Sequence, residues 1–123
     1  MGHGVRGRDT PTARIDEATA AAVATTMQAL STPSRLRILG RLRHGPATVS
    51  ELAAAAGMEQ SAVSHQLRML RHLGLVTGQR TGRVVVYALF DNHVAMLLDE
   101  AVYHAEHLRL GVRDTPATRA ETG

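Results

Sequence analysis

The stretch Ala47-Thr-Val-Ser-Glu-Leu-Ala53-Ala-Ala-Ala56-Gly57-Met-Glu-Gln60-Ser61-Ala-Val63-Ser64-His65-Gln66-Leu67-Arg68-Met-Leu70-Arg-His72-Leu-Gly-Leu75-Val76 decides the fold. Its first part reads as a short helix, Gly57 as a tight turn, and the rest as a second helix starting near Gln60 or Ser61. Ala53 and its small neighbours let the two helices approach closely. Two helices joined in this way form a helix-turn-helix. Helical spacing buries Val63, Leu67 and Leu70 of the second helix. Its exposed N-terminal part presents Gln60, Ser61, Ser64, His65, Gln66 and Arg68. Hydroxyls and a helix N-terminus suit phosphate contacts. Gln66 and Arg68 are of the types that read base edges in a major groove. A bare helical hairpin with a solvated polar face is the plainer alternative; the agreement of turn, spacing and polar face weighs against it. His72 is most simply structural.

Beyond this stretch the period changes. Leu75-Val-Thr-Gly-Gln-Arg80-Thr-Gly-Arg83-Val-Val-Val-Tyr87-Ala-Leu-Phe90 gives two apolar or β-branched segments around a basic tip, the pattern of a β-hairpin. A hairpin after a helix-turn-helix is a wing. Arg80 and Arg83 can grip phosphate or enter a minor groove, against the plainer reading of a solvated turn.

The next stretch, Asp91-Asn-His93-Val-Ala-Met-Leu-Leu-Asp99-Glu-Ala-Val-Tyr-His104-Ala-Glu-His107, carries the chemistry. Val94, Leu97, Leu98, Ala101, Val102, Ala105 and Leu108 recur at helical spacing as a wide apolar stripe. At about 100° per residue, His93, His104 and His107 lie within about 60° of one another beside that stripe. Asp91 stands where a helix N-cap belongs. Asp and His are hard-to-borderline metal ligands. The pairs Asp91/His93 and His104/His107 are roughly 20 Å apart along one helix, so one ion cannot touch both. Two copies packed antiparallel, crossing near Asp99 and Glu100, bring the first pair of one chain beside the second pair of the other. The expectation is a symmetric homodimer with two metal sites, each shared between protomers. A polar border to a dimer helix is the alternative without metal.

Towards the N-terminus, residues 16–30 read as a helix with acidic residues in its first turn. Pro33 opens a second helix over 33–43, with Thr32 as a candidate cap, Leu36, Ile38, Leu39 and Leu42 inward, and Arg35, Arg37, Arg41 and Arg43 mostly outward. His44-Gly45-Pro46 ends it. The order is therefore mainly α with a β-hairpin, α-α-α-α-β-β-α: a dimeric winged helix-turn-helix. Residues 1–14 read as a flexible arm, 15–110 as the winged domain with a C-terminal dimerisation helix, and 111–123 as a disordered tail. Within the arm, removal of Met1 leaves the Gly2 amine beside His3, and such an amine can act as a nitrogen ligand; a solvated tail is the alternative.

With 123 residues the chain is one domain by size. It has no cysteine, which excludes disulfides and thiolate metal sites. No apolar run has the length of a membrane span and no signal-peptide core precedes the domain, so a cytoplasmic location is expected, with no membrane partner. The net charge of +3 comes from arginine alone, since there is no lysine. A modest basic balance fits nucleic acid without establishing it. Scarce aromatics disfavour stacking on single strands; the helix-turn-helix points to double-stranded DNA as the partner.

Leu30-Ser-Thr-Pro-Ser-Arg-Leu-Arg-Ile-Leu39, Ser50-Glu-Leu-Ala53, Gln60 to Leu70 and Arg80-Thr-Gly-Arg-Val-Val-Val-Tyr87 resemble the ArsR/SmtB family of winged-helix metal-sensing repressors over roughly residues 18–110. The resemblance implies that the last helix builds part of a dimer interface and carries a metal site at Asp91, His93, His104 and His107. Zinc-sensing relatives usually end that site with Glu. His107 in that place, together with Met1-Gly2-His3-Gly4, is similar to nickel- and cobalt-sensing members, and implies a six-coordinate site made by the Gly2 amine, His3, Asp91, His93, His104 and His107. Six nitrogen and oxygen donors suit octahedral Ni(II) or Co(II), whereas four suffice for tetrahedral Zn(II). The implied function is a repressor that holds operator DNA as a metal-free dimer, releases it on binding Ni(II) or Co(II), and controls a metal-efflux gene. Zn(II) sensing, or a winged-helix regulator whose His cluster is idle, are the alternatives. A metalloenzyme is disfavoured: no general base or nucleophile pairs with the site, and six protein ligands leave no position for a small organic substrate.

Overall fold

Three of the described helices start at a side-chain cap. The computed structural model describes residues 14–111. Gly2 and His3, and nearly all of the expected arm and tail, lie outside the described residues. The described chain falls into two compact units, one running to Leu36 and the other from Arg37.

In the first unit, α1 (Glu17–Ala29) is capped by Asp16, whose carboxylate accepts from the Thr19 amide at 2.8 Å. That hydrogen bond holds the Asp16 carboxyl below its ordinary pKa. A depressed carboxyl stabilises the fold above its unfolded value, and the contribution is lost as pH falls through the folded one. Ile15, Val23 and Met27 are exposed. α2 (Pro33–Leu42) begins in this unit and continues into the next. Thr32 does not cap it through its side chain, contrary to expectation. The Leu36 amide donates to the Thr32 carbonyl at 3.1 Å, while the Thr32 hydroxyl is buried without a hydrogen-bond partner. Leu36, expected inward, is 40% exposed. It stands about 160° around the helix from Ile38, so the face that buries Ile38 turns Leu36 outward.

The second unit holds the core. Ile38, Leu39 and Leu42 of α2 are buried, as are Leu52, Ala53 and Ala56 of α3 (Val49–Ala56). Val63, Leu67 and Leu70 of α4 (Gln60–His72) are wholly inaccessible, the three residues that the spacing placed inward. The small side chains of α3 permit its packing on α4. α3 starts with a capping box: Thr48 accepts from the Glu51 amide and the Glu51 carboxylate accepts from the Thr48 amide. It ends at Gly57, whose φ of 66° lies in the left-handed region.

The wing is β2 (Val76–Thr81) and β3 (Val84–Leu89), antiparallel, with Thr81 opposite Val84 and Gly82–Arg83 as the turn. A third strand was not foreseen. Ala47–Thr48 forms β1, pairing Ala47 with Tyr87 and Thr48 with Val86, so the sheet order is β1-β3-β2. Pro46 bars a helix here and Thr48 must be extended to cap α3, which leaves two residues free to pair.

α5 (Asn92–Leu110) closes the unit. Asp91 caps it by accepting from the Val94 amide at 3.2 Å. Val94 and Leu98 are buried, but the apolar stripe then leaves the body: Val102, Tyr103, Leu108 and Leu110 are exposed. An ion pair between Arg43, just past α2, and Asp99 fastens the middle of α5. The Asp99 Oδ1 oxygen is buried and meets no donor other than that guanidinium.

Candidate functional site

Two surfaces of the second unit carry the residues singled out by sequence. The first is the outer face of α4. Successive residues turn by about 100°, so Ser61, Ser64, His65 and Arg68 share one side. Ser61, His65 and Arg68 are exposed and Ser64 is half-buried. Gln60 lies at the flank, its amide donating to the Ser50 hydroxyl at 3.1 Å across the helix-turn-helix. Gln66 stands apart: it falls about 160° around the axis from Arg68 and is half-buried. Arg80 and Arg83 are exposed at the wing. The Gly82 φ of 65° turns the chain between strands and leaves Arg83 at the tip.

Between α4 and the wing lie two crevices that share one wall, Tyr87. One is lined by Ser64, Arg68, Arg71, His72 and Tyr87 and encloses about 390 Å³. The other, about 300 Å³, has Ser50, Gln60, Arg83 and Tyr87 among its lining. Tyr87 takes its place because its register partner is Gly78: a Cβ there would stand 3.0 Å from the ring. Arg71 and Tyr87 were missed in the sequence. The only signal for Tyr87 was its pairing with a glycine across the hairpin.

The second surface is one flank of α5. The Asp91 Oδ1 oxygen is engaged in the cap, while Oδ2 lies 3.3 Å from His93 Nδ1. The cap therefore fixes the carboxylate and leaves one oxygen beside the imidazole, on the surface, where an ion can reach both. His104 is exposed and His107 half-buried near the other end of the helix. Roughly 20 Å of helix separates the pairs. Among the described residues of a single chain, no three His, Asp or Glu side chains gather closely enough to hold an ion. The candidate donors are two pairs on one flank, of the nitrogen and oxygen type that first-row divalent ions take. His44 and His72 join neither pair. Among the described residues, no helix is long and apolar enough to cross a membrane.

Comparison with known proteins agrees with this architecture. Residues 32–77 match the family described as bacterial regulatory protein, arsR family. The HTH-type transcriptional regulator NmtR of Mycobacterium tuberculosis is 66% identical over 114 residues, spanning 93% of this chain and 95% of that protein. A transcriptional repressor SmtB homolog of Synechocystis is 49% identical over 78 residues, 63% of this chain and 59% of that one. The solution structure of apo-NmtR superposes with a TM-score of 0.69 at 65% identity, covering 93% of this chain and 96% of that chain. A homodimeric winged helix-turn-helix DNA-binding domain from Mycobacterium bovis, a possible ArsR-family regulator, gives a TM-score of 0.74 at 27% identity, covering 90% and 99%.

Proposed function

The chain belongs to the ArsR family of bacterial regulatory proteins, and from that premise we propose a metal-responsive repressor whose homodimer holds operator DNA when metal-free and releases it on binding Ni(II) or Co(II). It is a transcriptional regulator, not an enzyme. The observation that carries the metal reading is the division of α5: Asp91 and His93 at one end, His104 and His107 near the other, on one flank of a helix whose apolar stripe is half uncovered. An antiparallel second copy covers that stripe and completes each donor set across the interface. Gly2 and His3 would add two nitrogen donors, bringing the set to the six that Ni(II) and Co(II) prefer over Zn(II).

On the DNA side, Ser61, Ser64, His65 and Arg68 of each α4 face a major groove, with Gln60 and Gln66 at the edges of that surface and Arg80 and Arg83 on the backbone or minor groove beside it. A divalent ion held by Asp91, His93, His104 and His107 would supply positive charge and a fixed link between two α5 helices. Arg43 and Asp99 connect α5 to the end of α2, so a shift of α5 is felt where α2 enters the helix-turn-helix. For release, the weak-binding arrangement must bind the ion more tightly, typically by about 1–3 kcal/mol, and DNA must weaken ion binding by the same factor. The controlled gene would be one for metal efflux, in the cytoplasm where operator DNA lies.

The test is a DNA-binding titration with Ni(II), Co(II) and Zn(II), alongside absorption spectra of the Co(II) form. Weak, octahedral-type Co(II) bands and release by Ni(II) or Co(II) are expected, with release abolished in His104→Ala and His107→Ala. Intense tetrahedral-type bands would move the reading to four-ligand Zn(II) sensing. Metal-driven release that survives both substitutions would overturn the site.

A further inference from the structure

The crevice between α4 and β3 joins two residues of the recognition face, Ser64 and Arg68, to three that lie outside it, Arg71, His72 and Tyr87. Its lining is Ser64, Arg68, Arg71, His72 and Tyr87: two guanidinium groups, an imidazole, two hydroxyls and no carboxylate. Among the described residues, Arg43 and Arg109 are held in ion pairs with acids, whereas neither Arg68 nor Arg71 is. A plain account exists for part of this. Arg71 and His72 sit in the last turn of α4, where cations favour the helix dipole. That account reaches neither Ser64 and Arg68, one to two turns earlier, nor Tyr87, which comes from another element and is brought over Gly78 by the absence of a side chain there. Three turns of one helix and a strand converge on a hollow of about 390 Å³ that offers two fixed cations and several donors, and no anionic group, to a ligand.

We propose that this crevice seats a phosphodiester of the operator backbone, with Arg71 and Arg68 as the charge-bearing donors and the Tyr87 and Ser64 hydroxyls as neutral ones. The inference rests on the DNA-binding reading above and names where the backbone lies in it. A helix in the major groove and a wing at the adjacent minor groove have one sugar–phosphate strand between them, because that strand is what separates the grooves. It must cross the gap between α4 and the wing, and of the two crevices there this one carries both Arg68 and Arg71. A phosphate there sets register and carries no sequence information.

The test measures binding of operator and random duplexes by the metal-free protein across salt concentrations. Arg71→Ala should weaken both duplexes alike, by about tenfold, and reduce the slope of log K against log salt by about 0.9, the value for one lost phosphate contact. Tyr87→Phe keeps the ring and removes a neutral donor, so affinity should fall severalfold at an unchanged slope. Arg109→Ala removes the same charge from the end of α5 and should leave the slope intact. Wild-type affinity and slope in Arg71→Ala overturn the proposal, as does an equal slope change in Arg109→Ala, which would make the effect one of net charge. A loss confined to the operator would assign Arg71 to base reading and also overturn it. Wild-type protein that binds neither duplex sinks the DNA reading itself, an outcome distinct from all of these.

Discussion

Asp91 does two jobs with two oxygens. Oδ1 caps α5 and Oδ2 lies beside His93, so the residue that begins the helix also holds an oxygen beside the first imidazole of the proposed metal set. The jobs are separable because an N-cap needs only a short side-chain acceptor, whereas a hard divalent ion favours an anionic oxygen. Asp91→Asn should keep the helix cap and leave thermal stability close to wild type, while lowering Ni(II) affinity. Asp91→Ala should lose both, with about 1 kcal/mol of stability removed. Equal metal affinity in Asp91→Asn and wild type, by calorimetric titration, would leave Asp91 as a cap alone. At the same scale, the half-buried position of Gln66 separates it from Arg68, although the two looked equivalent by side-chain type.

At the scale of elements, the turn between α3 and α4 rests on one backbone conformation. Gly57 has φ of 66° and a Cβ placed there would meet nothing within 4 Å. A substitution therefore costs through the backbone alone, with no clash to relieve. Gly57→Ala should destabilise by about 1–2 kcal/mol, read as a lower urea midpoint at constant m-value, and Gly57→Asn should cost less. An unchanged midpoint in Gly57→Ala would mean that the turn tolerates another conformation. The wing depends on the complementary device: Gly78 has ordinary backbone angles, but its missing side chain makes room for the Tyr87 ring. The Arg43–Asp99 pair links α2 to α5 but is partly exposed, and such pairs typically contribute no more than about 1 kcal/mol. Its value lies in connecting two elements more than in stability.

For the whole molecule, the governing fact is a helix with more apolar surface than one chain covers. α5 buries Val94 and Leu98, then runs on with Leu108 at 68% exposure. Leu108→Glu places a charge on that uncovered stripe while touching nothing in the chain's own core. It should convert a dimer to a monomer in sedimentation, with helix content retained, and abolish metal-driven release along with it. A charged variant that remains dimeric at wild-type affinity would move the interface off this part of α5. On the proposed reading DNA release and dimerisation are one question, since donor pairs roughly 20 Å apart on one helix would act together only across two chains.

Much of this was legible in the residues. Gly57 between two helical patterns, Val63, Leu67 and Leu70 at helical spacing, and the run of β-branched residues around Arg80 to Arg83 determined the winged helix-turn-helix. Asp91 ahead of an apolar stripe determined where α5 begins. These signals are local: each acts through backbone preference or periodicity within a few turns. What only the tertiary structure decided is which distant segments meet. The pairing of Ala47–Thr48 with β3, the joining of Arg43 to Asp99, and the hollow that Arg71 shares with Tyr87 all depend on chain segments many residues apart. No local preference encodes such a meeting; it follows from how helices and strands pack once each has buried its apolar face.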